Sequence, residues 1–557
     1  HDDLLQDQTF SPRGAITFSE DNTSEPGAST NVANEMASLL FDVPSQTGRD
    51  INTYFPKYRD WWFFSFVGDK WQVTPKLTAD LGIRWEFYFP ATPGTTNGFS
   101  NYDPTTNSLL IAGLGSTPSN LGITNHHTYF APRVGFAYRA TDQTVVRGGF
   151  GISYTPFEDN TYAYNYPVRA NNSYQQLNSY QPALLTNGSP ATFQAGFPAP
   201  VPIVIPSNGV ISPAPLSQSY VVIPKDYHNP YVESWNLAIQ QALPGQFSFT
   251  VAYVANHGVR IGSSQNINLP PALGLGTAGE PEYIAYKRSA ATNVYFLGYS
   301  SNYQSLQLQL NRRFTNGLGL ITSFTWGKGL GYQTDDDGAL LFWLDQRHNY
   351  APNDFDHRLN FEESLTYEFP FGKGKRWVTS GPASYVIGGW KLGAIISVYS
   401  GLPFDVEANG GTINTPGQQQ MANLVGGYHV LHHIGAGNQW FDPTAFAQPV
   451  GCPKTGACPI AYGTTMGDVS RNRYYGPGYI QDNVSLFKTF PIWESVSLEM
   501  RADAFQLSNS PQFNSPTASI TSVNFGQVTS TVSSGTGTGI NSIGGGRALQ
   551  FSGTVRF

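Results

Sequence analysis

The stretch Leu77-Thr78-Ala79-Asp80-Leu81-Gly82-Ile83-Arg84-Trp85-Glu86-Phe87 alternates without a break. Leu77, Ala79, Leu81, Ile83, Trp85 and Phe87 hold one set of positions; Thr78, Asp80, Gly82, Arg84 and Glu86 hold the other. Successive side chains of an extended strand leave opposite faces of the backbone. One face of this strand is therefore apolar along its length, and the other is polar and charged.

The same period returns along the chain. In Gln246–Ala255, Phe247, Phe249, Val251 and Tyr253 oppose Ser248, Thr250 and Ala252. Leu306, Leu308 and Leu310 oppose Gln307, Gln309 and Asn311. Val496, Leu498, Met500, Ala502 and Ala504 oppose Ser497, Glu499, Arg501 and Asp503. The last stretch sets Leu549, Phe551, Val555 and Phe557 against Gln550, Ser552, Thr554 and Arg556.

Composition points the same way. Charged residues are 12% and aromatics 14%, with 58 Gly and 39 Pro among 557 residues. Disorder needs more charge and fewer aromatics, and long helices exclude so much Gly and Pro. The net charge of −7 carries no basic stripe, so no nucleic-acid partner is expected. No run reaches the ~18 apolar residues of a membrane helix, but barrel strands cross with about ten alternating residues and escape that test.

A soluble sandwich also alternates. Two features favour a membrane barrel instead. Many strands exceed the usual five or six residues. Aromatics gather at strand ends, as in Trp61 to Phe64, Trp85 with Phe87 to Phe89, and Phe324 with Trp326. Such girdles mark the membrane interfaces. Short turns (Thr74-Pro75, Thr141 to Gln143, Pro244-Gly245, Asn316-Gly317) alternate with long segments at 90–127, 157–228, 258–301, 403–477 and 510–547. The pattern predicts an all-β, transmembrane antiparallel β-barrel of about fifteen strands with long extracellular loops. An odd count fits a barrel missing its first strands. A short helix is expected over Asn31–Phe41, between strands near Gly14–Phe18 and Gly48–Tyr54.

Ordered motifs then resemble a family. Phe66-Val67-Gly68-Asp69-Lys70-Trp71, Leu81-Gly82-Ile83-Arg84-Trp85-Glu86 and Phe130-Ala131-Pro132-Arg133-Val134-Gly135-Phe136 come first. Arg147-Gly148-Gly149-Phe150-Gly151, Trp235-Asn236-Leu237 and Ser400-Gly401-Leu402-Pro403-Phe404 follow. Trp440-Phe441-Asp442-Pro443, Arg473-Tyr474-Tyr475-Gly476-Pro477-Gly478 and Phe505-Gln506-Leu507-Ser508-Asn509 complete the series. Together they resemble TonB-dependent outer-membrane receptors of the large type with an N-terminal carboxypeptidase-regulatory-like domain. The resemblance implies a plug inside a barrel of about 22 strands. It also implies a TonB box read by an energy-coupling protein. On it, residues 1–557 form the C-terminal barrel portion, without plug, TonB box or first strands, and end at the barrel's C-terminus. The implied function is energised uptake of a metal chelate, glycan or peptide in the outer membrane of a Gram-negative cell.

Site expectations follow. Asp80, Arg84, Glu86, Arg147, Glu499, Arg501, Asp503 and Arg556 are placed facing the lumen, as plug or substrate contacts or as a network stabilising a wet interior. Cys452 and Cys458, close together in a loop, are expected to form a disulfide. Phe551, Val555 and Phe557 resemble the C-terminal signal read by barrel-assembly machinery through strand addition. His429, His432 and His433, the pair His126-His127, and Asp335-Asp336-Asp337 are residue types that can ligate a metal. Solvated loops are the plainer reading of each, and no metal or cofactor is expected. No Gly-x-Ser-x-Gly elbow, His-Glu-x-x-His or P-loop occurs, so no enzyme is expected. The alternatives are a surface adhesin or structural barrel without transport and, behind it, a secreted β-rich hydrolase. The outer-membrane lipid and the protein's own plug are the remaining expected partners.

Overall fold

Leu77–Tyr88 is the second of thirteen strands that follow one another across a single sheet in the computed structural model. Residues 2–5, 11–25, 32–52, 57–156, 165–199, 202, 204–333, 340–435, 437–453, 456–493, 496–532 and 546–557 are described. The strands are β1 (Trp62–Thr74), β2 (Leu77–Tyr88), β3 (Tyr129–Arg139), β4 (Thr144–Tyr154), β5 (Tyr231–Leu243), β6 (Phe247–Asn266) and β7 (Thr292–Thr315). After them come β8 (Leu318–Gly331), β9 (Leu359–Glu368), β10 (Trp390–Tyr399), β11 (Tyr479–Trp493), β12 (Val496–Phe505) and β13 (Ala548–Arg556). Each pairs antiparallel with the next. Two short pieces, Tyr220–Val222 beside β7 and Ala351–Pro352 beside β8, bring the sheet to fifteen strands.

Connections alternate in length. One end carries tight turns; at Asn316-Gly317 both residues take positive φ, 49° and 80°. That is the twist a two-residue hairpin needs, and Asn-Gly supplies it at little cost. The other end carries the long connections: 89–128, 155–230, 267–291, 332–358, 400–478 and 506–547. The turn end has one longer link, between β9 and β10, which holds the short helix Pro382–Ile387.

The segments near Gly14–Phe18 and Gly48–Tyr54 lie off the main sheet. Ala15–Thr17 and Gln46–Asn52 pair with each other, and Gln46–Asn52 also pairs with Arg169–Gln175, in a separate three-stranded sheet. Gln46-Thr47-Gly48-Arg49-Asp50-Ile51-Asn52 presents no apolar row, so it has nothing to offer a lipid-facing position. The helix expected over Asn31–Phe41 spans Val32–Leu40; Asn31 is outside the described residues.

Register carries the two faces of Leu77–Phe87 across the sheet. Residues opposite each other in a ladder share a face. Ala79 faces Phe136, then Gly148, Leu237, Tyr253, Leu306, Trp326 and Leu359 in successive strands. Thr78 faces Ala137, then Arg147, Ala238, Ala252, Gln307 and Thr325. Leu81, Ile83, Val251, Leu308, Leu498 and Phe551 fall on the first face; Asp80, Arg84, Gln307, Glu499 and Arg501 fall on the second. Departures exist: Ile321 and Ile395 stand on the polar face, and Glu363 stands on the apolar one, where the Thr322 hydroxyl donates to it.

Most of the buried apolar residues lie in the long connections. One cluster joins Leu273, Phe342, Phe404, Val406, Ile413, Met421, Phe441 and Met466. Others gather Phe99, Leu121 and Ile223, and Leu109, Ile111 and Tyr166. The apolar face of the sheet is bare: Trp326 is 60% exposed, Leu237 50% and Phe551 76%.

Candidate functional site

The eight charged residues singled out by the sequence form two groups on the polar face. On β2, the Arg84 Nε donates to Glu86 at 2.6 Å, and the Tyr88 hydroxyl donates to the other oxygen of the same carboxylate. Glu86 is wholly buried there, and the Arg84 guanidinium lies 5.8 Å from the Phe64 ring centroid. Asp80 stands opposite Lys70, and Arg147 opposite Ala137 and Ala238. On β12 and β13, Arg501 donates to Asp503 at 2.7 Å, and Arg556 donates to Glu499 at 2.9 Å. The Ser485 hydroxyl also donates to Asp503. Register thus places all eight residues on one face, while strand order keeps β2 and β4 far along the sheet from β12 and β13.

The long connections enclose a cavity of about 570 Å³. Asn178, Ser179, Tyr180 and Gln181 come to it from 155–230, Gly274 and Leu275 from 267–291, and Thr412, Asn414 and Cys452 from 400–478. One residue ties the three loops. Asn414 takes an αL backbone (φ 41°). Its side-chain carbonyl accepts the Ser179 N–H at 2.8 Å, and its amide donates to the Gly274 carbonyl at 3.0 Å. Cys452 and Cys458 are joined by a disulfide. Their backbone N–H groups donate to the Thr412 and Leu273 carbonyls, both at 2.9 Å. The bridge therefore pins 400–478 against 267–291 at the cavity wall.

An adjoining cavity of about 490 Å³ shares Asn178, Ser179 and Gly411 and adds Asp21, Asn409 and Glu407. Burial first, then the neighbouring Glu20, pushes the Asp21 carboxyl up to about 6. Burial also raises Glu407. The first cavity mixes the amides and hydroxyls of Asn178, Ser179, Gln181 and Thr412 with the apolar Leu275, Val450 and Pro453. Amides and hydroxyls line most of the second, beside the carboxylates of Glu20, Asp21 and Glu407, so both offer a ligand hydrogen bonds.

The remaining sequence candidates are dispersed. His429, His432 and His433 are exposed; His432 meets the Trp440 ring edge-on at 5.0 Å. Asp335, Asp336 and Asp337 lie outside the described residues. His127 stacks on Phe87 at 4.4 Å, and its carbonyl accepts the Trp85 indole N–H at 2.8 Å. His126 turns the other way, toward Asp226 and His228. Those two were not singled out in the sequence, because the Asp226 contact spans 100 residues and no local spacing announces it. Phe551 and Val555 share the apolar face of β13, and Phe557 is 97% exposed beyond its end.

Residues 1–550 match the family model described as an outer membrane beta barrel domain. No curated protein matches the chain. Among solved structures, a pyoverdine outer membrane receptor from Pseudomonas aeruginosa is similar at 10% identity and a TM-score of 0.43, over 91% of this chain and 43% of that one. A siderophore receptor from Acinetobacter baumannii is similar at 11% identity and a TM-score of 0.39, over 92% of this chain and 44% of that one. A ferric-catecholate import receptor from E. coli K12 is similar at 10% identity and a TM-score of 0.39, over 92% and 45%. The chain thus spans less than half the length of these structures.

Proposed function

The chain belongs to the outer membrane β-barrel domain family, and from that premise we propose that it forms the wall of an energised receptor importing a bulky nutrient. It is an integral protein of the outer membrane. The observation that supports a lipid-facing wall is the bare apolar face, continuous in register from Ala79 to Leu359. Soluble monomers seldom expose apolar patches beyond a few hundred Å². In lipid the same face needs no cover, and the polar face opposite suits a wet lumen.

Of the substrates the resemblance implies (a metal chelate, a glycan or a peptide), we favour a glycan or a peptide, which the mixed hydrogen-bonding and apolar lining of the two cavities suits. Asn178, Tyr180 and Asn414 offer directional hydrogen bonds and a ring to stack on. Uptake on this reading uses the protein's own plug in the lumen and a separate TonB-type energy-coupling protein, and insertion uses assembly machinery reading Phe551, Val555 and Phe557.

Accumulation of labelled oligosaccharides and peptides by cells making the full-length protein tests this. Uptake should stop when the energy-coupling protein is deleted, while surface binding persists. Binding without energised uptake in intact cells would make the protein an adhesin. Uptake that ignores the coupling protein would make it a passive pore.

A further inference from the structure

His126 and His228 reach the rim from two different long connections, just before β3 and β5 begin. Their rings lie 3.8 Å apart between centroids, inclined by 30°. One carboxylate approaches both: Asp226 Oδ1 is 3.0 Å from His126 Nε2 and 3.5 Å from His228 Nδ1. All three ligand atoms fall within 4.8 Å of one another.

We propose that His126, Asp226 and His228 form a binding site for a divalent transition-metal ion of the zinc class, joining connections 89–128 and 155–230 at the barrel mouth.

The geometry suits such an ion. A tetrahedral ion with bonds of about 2.0–2.2 Å spaces its ligand atoms roughly 3.3–3.6 Å apart. The two carboxylate separations, 3.0 and 3.5 Å, need little adjustment to reach that. Two imidazole nitrogens and one oxygen favour zinc, cobalt, nickel or copper over calcium and magnesium, which take oxygen ligands. Three protein ligands leave a fourth position open to water or to a ligand atom.

The loops hold the ligands before any ion arrives. On one side the Thr124 N–H donates to the Lys225 carbonyl at 2.8 Å. On the other, the Asn229 N–H donates to the Tyr129 hydroxyl at 3.0 Å, and its amide donates to the Thr155 carbonyl at 2.8 Å. The three ligands lie between these anchors, so little chain has to be ordered on binding. An ion pair is a poor account of the cluster, because the Asp226 side chain is 76% exposed and such pairs contribute little. Arg260 is the cation that opposes a bound metal, and Asp226 is the charge that answers it.

Untagged full-length protein in detergent, stripped with chelator and dialysed, is titrated with Co²⁺ and Zn²⁺. One equivalent of Co²⁺ should give the visible bands of a tetrahedral site, and Zn²⁺ should bleach them. His228→Ala and Asp226→Asn should each weaken Zn²⁺ binding by at least about tenfold, while His429→Ala with His432→Ala and His433→Ala leaves it unchanged. A second measurement needs no variant: Zn²⁺ should protect His126 and His228 from diethyl pyrocarbonate. Absence of the Co²⁺ bands, equal affinity in the variants, or equal modification with and without Zn²⁺ overturns the proposal.

Discussion

The side-chain carbonyl of Asn414 accepts the backbone N–H of Ser179 at 2.8 Å, across 235 residues of chain. Its amide holds Gly274 at the same time, so one residue in αL geometry closes three loops around the larger cavity. Asn tolerates that backbone; Ala does not, by roughly 1–2 kcal/mol. Asn414→Gly should lose only the two hydrogen bonds, about 1 kcal/mol each, and Asn414→Ala should lose those plus the strain. Both should weaken ligand binding while the barrel still shifts on heating in gels. Ligand affinity equal to wild type in both variants would remove Asn414 from the cavity's construction.

Leu308 and Gln307 are neighbours in β7 that stand on opposite faces, beside Val251 and Ala252 of β6. Leu308→Arg places a cation in lipid and should cost about 2–4 kcal/mol near the midplane. Gln307→Arg places the same cation in the wet lumen and should cost little. Urea unfolding in liposomes reads both. Equal losses would mean that the two faces are not lipid and water.

The Cys452–Cys458 bridge closes a ring of few residues, so its chain-entropy contribution should stay below about 3 kcal/mol. Its consequence is local, through the Leu273 and Thr412 carbonyls. Replacing both cysteines by Ser should speed proteolysis of 267–291 and 400–478 and leave the barrel's heat stability unchanged. A lowered barrel midpoint would show that the bridge reaches beyond the loops.

The strands were legible because lipid and lumen impose a two-residue period that no loop interaction disturbs. Leu77–Phe87 already separates Leu81 from Asp80, and register then carries that separation to Leu308 and Gln307. Sheet membership was less legible. Gln46–Asn52 is extended yet pairs only in a loop sheet, because extension is local whereas joining the wall needs an apolar row. Of the loop layer, the Cys452–Cys458 bridge and the helix Val32–Leu40 were legible because both are local; the long-range contacts were not. Asn414 with Ser179, and His126 with Asp226, are brought together by folding of long connections, and nothing in their spacing records it.

Lys488 lies on the apolar face of β11, where a charge needs a reason. Its ammonium donates to the carbonyls of Tyr385 at 2.8 Å, Val386 at 3.2 Å and Gly388, at the C-terminal end of the helix Pro382–Ile387. The Trp390 and Phe490 rings lie 5.3 and 5.0 Å from it. A cation at a helix C-terminus, screened by aromatics at the turn end of the strand, is an interfacial anchor. Lys488→Met should strand those carbonyls and lower stability by about 1–3 kcal/mol. Lys488→Arg should recover most of it. An unchanged unfolding midpoint in Lys488→Met would leave the helix without this anchor.

Glu280 gives the loop layer a pH dependence of known sign. Arg288 is fully buried, with its guanidinium 5.2 and 4.6 Å from the Tyr102 and Tyr220 rings, and it donates to Glu282. Glu280 lies beside this pair, 1% exposed, and burial pushes its carboxyl up to about 9 against the downward pull of Arg288. The folded loop therefore holds a proton that the unfolded loop has released above about 4.5. Stability from this group is complete below about 4.5, declines as pH rises through the interval, by about 1.4 kcal/mol per unit, and is gone above about 9. Glu280→Gln keeps the neutral amide at every pH and should remove the decline. Proteolysis rates of the 267–291 connection, measured from pH 6 to about 9.5 on folded protein in detergent, should climb in wild type and stay flat in the variant. A climb of the same size in Glu280→Gln would assign the dependence to another group.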